Sequence, residues 1–233
     1  GGTLLTQAEV LGELNRFAAD EDTVVCAAGS LPGDLHRFWR ARRPNTYHLE
    51  YGYSTMGYEI AGGLGVSLAV PGHETYVMVG DGSYLMMASE VVTAVQEGAR
   101  LTIVLLDNRG FGSIGGLSAA VGCQGFGTSY RRRNPATGLL DGDWIAVDYA
   151  ANLTSLGAHA QTVRDMAGLR QAIAAARERG GVNAIVVEID RAARTKEYDS
   201  WWDVPVAEAS EIESTRAAYA AYVADGKRRR WLI

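Results

Sequence analysis

The stretch from Thr75 to Gly112, TYVMVGDGSYLMMASEVVTAVQEGARLTIVLLDNRGFG, limits the folds open to this chain. An apolar run, Tyr76 to Val79, ends in Gly80-Asp81-Gly82. A segment with helical spacing follows. A second apolar run, Leu101 to Leu106, then ends in Asp107-Asn108-Arg109-Gly110. This order predicts strand, turn, helix, strand, turn: one β-α-β unit. Its strands run parallel, so both turns fall on one edge of the sheet, the edge where open α/β sheets bind ligands. Asp81 and Asn108 therefore converge. A carboxylate, an amide oxygen and the Gly110 carbonyl suit a hard cation such as Mg²⁺ carrying a diphosphate. Gly82 and Ser83, opening the helix, offer N–H groups to the anion. Gly80-Asp81-Gly82 alone reads first as a plain β-α turn with a capping Asp.

The rest of the chain extends the alternation. Thr6 with Glu9 forms a capping box ahead of a helix over residues 7 to 19. Thr23 to Ala27 reads as a strand ending in the turn Ala28 to Gly33, and Asp34 to Arg40 as a short helix. Thr46 to Leu49 is a second strand, leading into Glu50 to Gly57. Tyr58 to Val70 is a helix whose Gly62, Gly63 and Gly65 permit close packing on the sheet. Ser83 to Glu97 is expected to place Leu85, Ala88, Val91, Val92 and Val95 on one apolar face. Residues 110 to 143 read as a long loop with one short helix. Trp144 to Leu156 and Val163 to Arg177 read as helices flanking a strand, Ala158 to Gln161. Asn183 to Ile189 is the last strand. The expected fold is α/β, a mostly parallel sheet with helices on both faces. The expected division is a domain over 3–190 and a C-terminal arm and helix, 191–233, packed on it. Trp201-Trp202 lies in the arm, and Glu211 to Ala224 forms the helix.

Composition narrows the function classes. A net charge of -5 gives nucleic acid no attraction, and Lys227 to Arg230 reads as a solvated tail. Two cysteines, Cys26 and Cys123, without a CxxC pattern fit a reducing cytosol. No apolar run has the length of a membrane span. Gly1-Gly2 without a Met reads as a processed chain, an expression scar or a piece of something longer.

Taken together, GDG, a helix, a strand, and Asn with Gly two residues later resemble the metal and diphosphate motif of thiamin-diphosphate enzymes. The resemblance runs from about Thr3 to Asp190. It implies metal ligands at Asp81, Asn108 and the Gly110 carbonyl, and cofactor contacts at Gly80, Gly82, Ser83 and Phe111. Asp107 departs from the pattern, since many members carry Asn there. Ser54-Thr55-Met56-Gly57 resembles the segment that grips the aminopyrimidine. Met56 would wedge under the bent cofactor, and the Ser54 carbonyl would accept its 4′-amino hydrogen. Ser30 and Leu31 fall where the family has a first phosphate-contacting turn.

A narrower resemblance joins Ser30 to Arg37, His48 to Ser54 and Asp199 to Val206 to the acylhydrolases of inositol catabolism. These open the ring of trihydroxycyclohexane-1,2-dione to 5-deoxy-glucuronate. The resemblance implies thiamin diphosphate and Mg²⁺ as cofactors and a small polyol-derived dione as substrate. It also implies N-terminal pyrimidine-binding and middle domains outside this sequence, and a homodimer or homotetramer. The activating Glu of the family lies on that other domain, so this chain alone is expected not to turn over. His48 is the candidate acid/base, with His36 the next nearest histidine. Tyr51, Tyr53 and Phe111 are candidates for the substrate side, and Arg131 to Arg133 for a lid or a solvated loop. Three alternatives remain at this stage: a 2-oxo acid decarboxylase, an acetolactate-synthase-like carboligase, and a non-catalytic cofactor-binding or assembly module. A dinucleotide fold is disfavoured because Gly62-Gly63-Leu64-Gly65 lies inside a predicted helix.

Overall fold

A computed structural model describes residues 4–195 and 203–228. These fall into two compact units, one reaching Gly110 and including Ala146–Thr195, the other Phe111–Ile145 with the described residues beyond Lys196.

The first unit is built on six strands: β1 (Thr23–Cys26), β2 (Tyr47–Leu49), β3 (Thr75–Gly80), β4 (Leu101–Asp107), β5 (His159–Val163) and β6 (Val182–Glu188). Their order is β2-β1-β3-β4-β6-β5, and every pairing is parallel. The "mostly parallel" expectation thus becomes all-parallel. Period-two alternation divides the core between the two faces. Tyr76, Met78, Val104, Leu106, Ile185 and Val187 face one cluster, shared with α1 (Gln7–Phe17), α2 (Leu31–Phe38) and α8 (Met166–Arg179). Val77, Val79, Ile103, Leu105, Ala184 and Val186 face the other, shared with α3 (Tyr58–Ala69), α5 (Glu90–Gln96) and α7 (Tyr149–Ser155).

The strand order creates a switch point. After β1 the chain packs α2 on one face; after β3 it packs α5 on the other. The carboxyl ends of β1 and β3 therefore open a crevice, the usual ligand position in such sheets. On the α5 face, α3 lies very close to the sheet at Gly63. A Cβ there would sit 2.2 Å from Val77 Cγ2. The close-packing expectation holds at Gly63 but not at Gly65, which meets nothing within 4 Å, while Gly62 makes room for the Tyr58 ring of its own helix.

Several boundaries differ from the sequence expectation. The helix expected over 83–97 is broken into α4 (Asp81–Tyr84) and α5. Across the break and into the first turn of α5, Met86 bonds back to Ser83, Met87 to Tyr84, Val91 to Ala88 and Val92 to Ser89, so i→i+3 bonds interrupt the α-helical ladder. The expected apolar face is broken with it: Val91 is buried, whereas Leu85, Val92 and Val95 are exposed. The helix expected from Trp144 starts at Tyr149, because the Asp148 carboxylate caps it by accepting the Ala151 N–H at 2.9 Å. In α2 the first turn begins three residues early, with Pro32 in it. Val163 ends β5 instead of opening α8, which Asp165 caps. Trp201-Trp202 lies outside the described residues.

The second unit holds α6 (Gly112–Ala120) and α9 (Glu213–Gly226). Ser214 Oγ and Thr215 Oγ1 donate to the Gly122 carbonyl at 2.7 and 3.1 Å. Gly122 has φ +76°, and a Cβ there would stand 2.4 Å from the Ser214 carbonyl oxygen.

At the opposite, amino-terminal edge of the sheet, Asp22 accepts from Ala19 N–H, Glu74 N–H and the Arg177 guanidinium at 2.7, 3.2 and 2.5 Å. Asp22→Ala leaves these donors without their acceptor. It is expected to cost about 2–3 kcal/mol by urea unfolding, with cofactor affinity unchanged.

Candidate functional site

The turns after β3 and β4 meet as the β-α-β reading requires. Asp81 is fully buried, at 0% exposure, and its Oδ2 accepts the Gly110 N–H at 2.7 Å. Among the described residues its Oδ1 has no hydrogen-bond partner, and neither does the buried Oδ1 of Asn108. Two buried oxygens without donors call for a ligand that supplies positive charge or protons. Burial first, then the negative charge of Asp107, raise the Asp81 carboxyl to about 7, against the pull of the Gly110 N–H. Burial likewise raises Asp107, opposed by the Arg109 N–H, which donates to Asp107 Oδ1 at 2.8 Å. Arg109 pairs with Glu188, whose strand position is opposite Asp107. The turn is held in an uncommon conformation, with φ +63° at Arg109 and +150° at Gly110. No cluster of three His, Cys, Asp or Glu side chains occurs among the described residues. The donors gathered here are instead one carboxylate and one amide oxygen, which fit Mg²⁺ with phosphate oxygens completing its shell.

The segment over 50–57 is folded by two carboxylates. Glu50 accepts the N–H groups of Tyr53 and Thr55 at 3.1 and 2.6 Å. Ser54 has φ +51°, a second non-glycine residue in the left-handed region at these turns. Met56 is half-buried. At Gly57 the N–H donates to Ser83 Oγ at 2.7 Å and to Glu59 Oε2 at 3.2 Å.

Glu59 is 1% exposed. Besides Gly57, it accepts from the Ser83 hydroxyl at 2.7 Å and from the Ala28 N–H at 3.3 Å. The turns following β1 and β3 and the start of α3 thus meet at one carboxylate.

The other expected residues are distributed more widely. Ser30 bonds through Oγ to the side chain of Gln7, and Leu31 is buried in the α1/α2 core. His48 lies on β2 with Nε2 3.0 Å from the Asn45 carbonyl. A carbonyl only accepts, so Nε2 is the donor in this contact. His36 stands in the last turn of α2. Tyr51 is exposed, and Tyr53 is 93% exposed, far beyond what packing alone gives a tyrosine. In the second unit, Phe111 meets Tyr130 edge-to-face with ring centroids 5.8 Å apart. There too, Arg131 stacks over Trp144 and donates to the Gly142 carbonyl at 2.8 Å, and Arg133 bonds to the Gly138 carbonyl. Both guanidinium groups are thus engaged by their own loop.

Residues 27–187 match the family of thiamine pyrophosphate enzymes, C-terminal TPP binding domain. The chain belongs to this family. Among curated relatives, a 3D-(3,5/4)-trihydroxycyclohexane-1,2-dione hydrolase of Bacillus cereus (strain AH820) is 45% identical over 96% of the chain. The protein of that name from Bacillus anthracis is also 45% identical over 96% of the chain. The chain spans about 35% of the length of these relatives. Among solved structures, the benzoylformate decarboxylase of Polynucleobacter necessarius superposes with TM-score 0.68 at 20% identity, covering 82% of this chain and 34% of that one. A thiamine diphosphate-dependent 4-hydroxybenzoylformate decarboxylase of Rhodococcus jostii RHA1 gives TM-score 0.68 at 17% identity, covering 82% and 33%. At these identities the likeness is one of fold. The α/β fold and the thiamin-diphosphate-binding family expected from the sequence are therefore both established.

Sequence reasoning passed over Glu59. Its signal was present: a single acid in an otherwise apolar, glycine-rich helix, where a buried charge needs partners. It also read Asp107 only as a departure from the family pattern. In the structure Asp107 is the carboxylate that adds to burial in raising Asp81.

Proposed function

We propose that this chain is the cofactor-holding domain of a thiamin-diphosphate-dependent hydrolase of C–C bonds. Its substrate is trihydroxycyclohexane-1,2-dione, opened to 5-deoxy-glucuronate in the cytoplasmic breakdown of myo-inositol. The observation that carries this reading is the 45% identity, across nearly the whole chain, to relatives named for that hydrolase. The N-terminal pyrimidine-binding and middle domains accompany it, in a homodimer or homotetramer.

In this reading Asp81, Asn108 and the Gly110 carbonyl hold Mg²⁺, and Gly80, Gly82, Ser83, Ser30 and Leu31 surround the cofactor. Ser54 and Met56 receive its aminopyrimidine end. Thiamin diphosphate, when bound, supplies the electron sink for cleavage between adjacent carbonyl carbons. The chain's residues hold and orient it. His48 is assigned the acid/base role. The test is product analysis with the full-length protein. The cyclic dione is expected to yield 5-deoxy-glucuronate. Carbon dioxide from pyruvate, with the dione untouched, contradicts the assignment.

Metal uptake carries a pH signature. Below about 7 the Asp81 carboxyl holds a proton that the cation must displace. Mg²⁺ affinity is therefore expected to rise roughly tenfold per pH unit up to that point and level off above it. Calorimetry in buffers of different ionisation enthalpy reads the released proton directly.

A further inference from the structure

The family reading assigns residues to the two ends of the cofactor. It leaves open what fixes the separation of those ends. Three turns are involved: the one after β1, the 54–57 turn, and the Asp81–Ser83 turn after β3. They come from distant parts of the chain and stand on both sides of the switch point between β1 and β3. One buried side chain reaches all three. Glu59 accepts from Ala28 N–H, Gly57 N–H and Ser83 Oγ, and Ser83 Oγ also accepts from Gly57 N–H.

We propose that Glu59 is a positioning residue for the cofactor, clamping the 54–57 turn to the metal-and-diphosphate turn so that both ends of thiamin diphosphate meet preset groups. This rests on the thiamin-diphosphate reading of the site.

The donor set supports it. The donors of Ala28, Gly57 and Ser83 converge on the two carboxylate oxygens, which is what an anion satisfies and an amide does not. Burial raises the Glu59 carboxyl, and the Ser83 hydroxyl, followed by the backbone N–H groups, pulls it back. Other ties within the 50–57 segment are local. Glu50 folds it onto itself, and the Tyr58 N–H bonds to the Thr55 carbonyl at 3.4 Å. On the metal side the Asp81–Gly110 bond joins β3 to β4 without Glu59. Loss of the Glu59 clamp therefore loosens the aminopyrimidine side and spares the metal side.

That asymmetry gives the test, made in the full-length protein with two probes. One is thiamin diphosphate with Mg²⁺; the other is inorganic pyrophosphate with Mg²⁺, which engages only the metal side. Calorimetric Kd values are measured for the unsubstituted protein and for Glu59→Gln. The amide keeps the length of the side chain but turns an NH₂ toward the converging donors. Thiamin diphosphate Kd is expected to rise roughly 10–100-fold, the usual range for losing a group that orients ligands, while pyrophosphate Kd changes little. Where the misplaced amide prevents folding, Glu59→Ala replaces it, since water can then reach the three donors. Equal losses for both probes, or none for either, overturn the proposal. So does failure of both variants to fold, which would make Glu59 a core residue. If the unsubstituted protein binds pyrophosphate but not thiamin diphosphate, the underlying reading fails, and the proposal with it.

Discussion

Asp81→Asn is expected to abolish Mg²⁺-dependent binding of thiamin diphosphate, raising its Kd by at least ~100-fold. The substitution is isosteric, and its amide oxygen still accepts the Gly110 N–H that Oδ2 accepts now. Its NH₂ group then replaces Oδ1, the oxygen without a partner, and points toward the place a cation would occupy. It removes a buried negative charge beside Asp107 and can donate within the cluster that holds Asn108 Oδ1. Without cofactor, at pH 8, where the native carboxyl is ionised, the variant is therefore expected to melt higher, by about 1 kcal/mol of added stability. Affinity and stability moving in opposite directions is the signature of a site built for a ligand. Equilibrium binding with thermal melts of the same samples measures both.

Gly63→Val is expected to destabilise the protein by about 3 kcal/mol. The new Cβ would overlap Val77 Cγ2 at 2.2 Å, and a β-branched neighbour on β3 has no free rotation with which to escape. α3 must then lift from the sheet, and α3 begins with the Gly57–Glu59 segment that anchors the 54–57 turn. Cofactor affinity is expected to fall with stability. A urea midpoint unchanged within error would contradict the close approach of α3 to β3.

The sequence made the site's ends legible because each is a local pattern. An apolar run, a glycine turn and a polar side chain at the carboxyl end of a strand are read within a dozen residues. Parallel pairing then places Asp81 beside Asn108. What it did not show are particular hydrogen bonds, some local and some distant. The break between α4 and α5 depends on i→i+3 bonds that apolar spacing does not encode. The late start of α7 follows from the Asp148 cap, a local signal outweighed in the reading by the run Trp144 to Val147. Glu59 stood out as a lone acid in an apolar helix, but its partners at positions 28, 57 and 83 are brought together only by the folded sheet.

The central claim is that the turns after β3 and β4 hold Mg²⁺ with the diphosphate of thiamin diphosphate. Its most direct test is calorimetric titration of the full-length protein with thiamin diphosphate, with and without Mg²⁺, beside the Asn108→Ala variant. Expected are saturable binding that requires Mg²⁺ and its collapse in the variant. Binding of equal strength without the metal, or undiminished in Asn108→Ala, would contradict the claim.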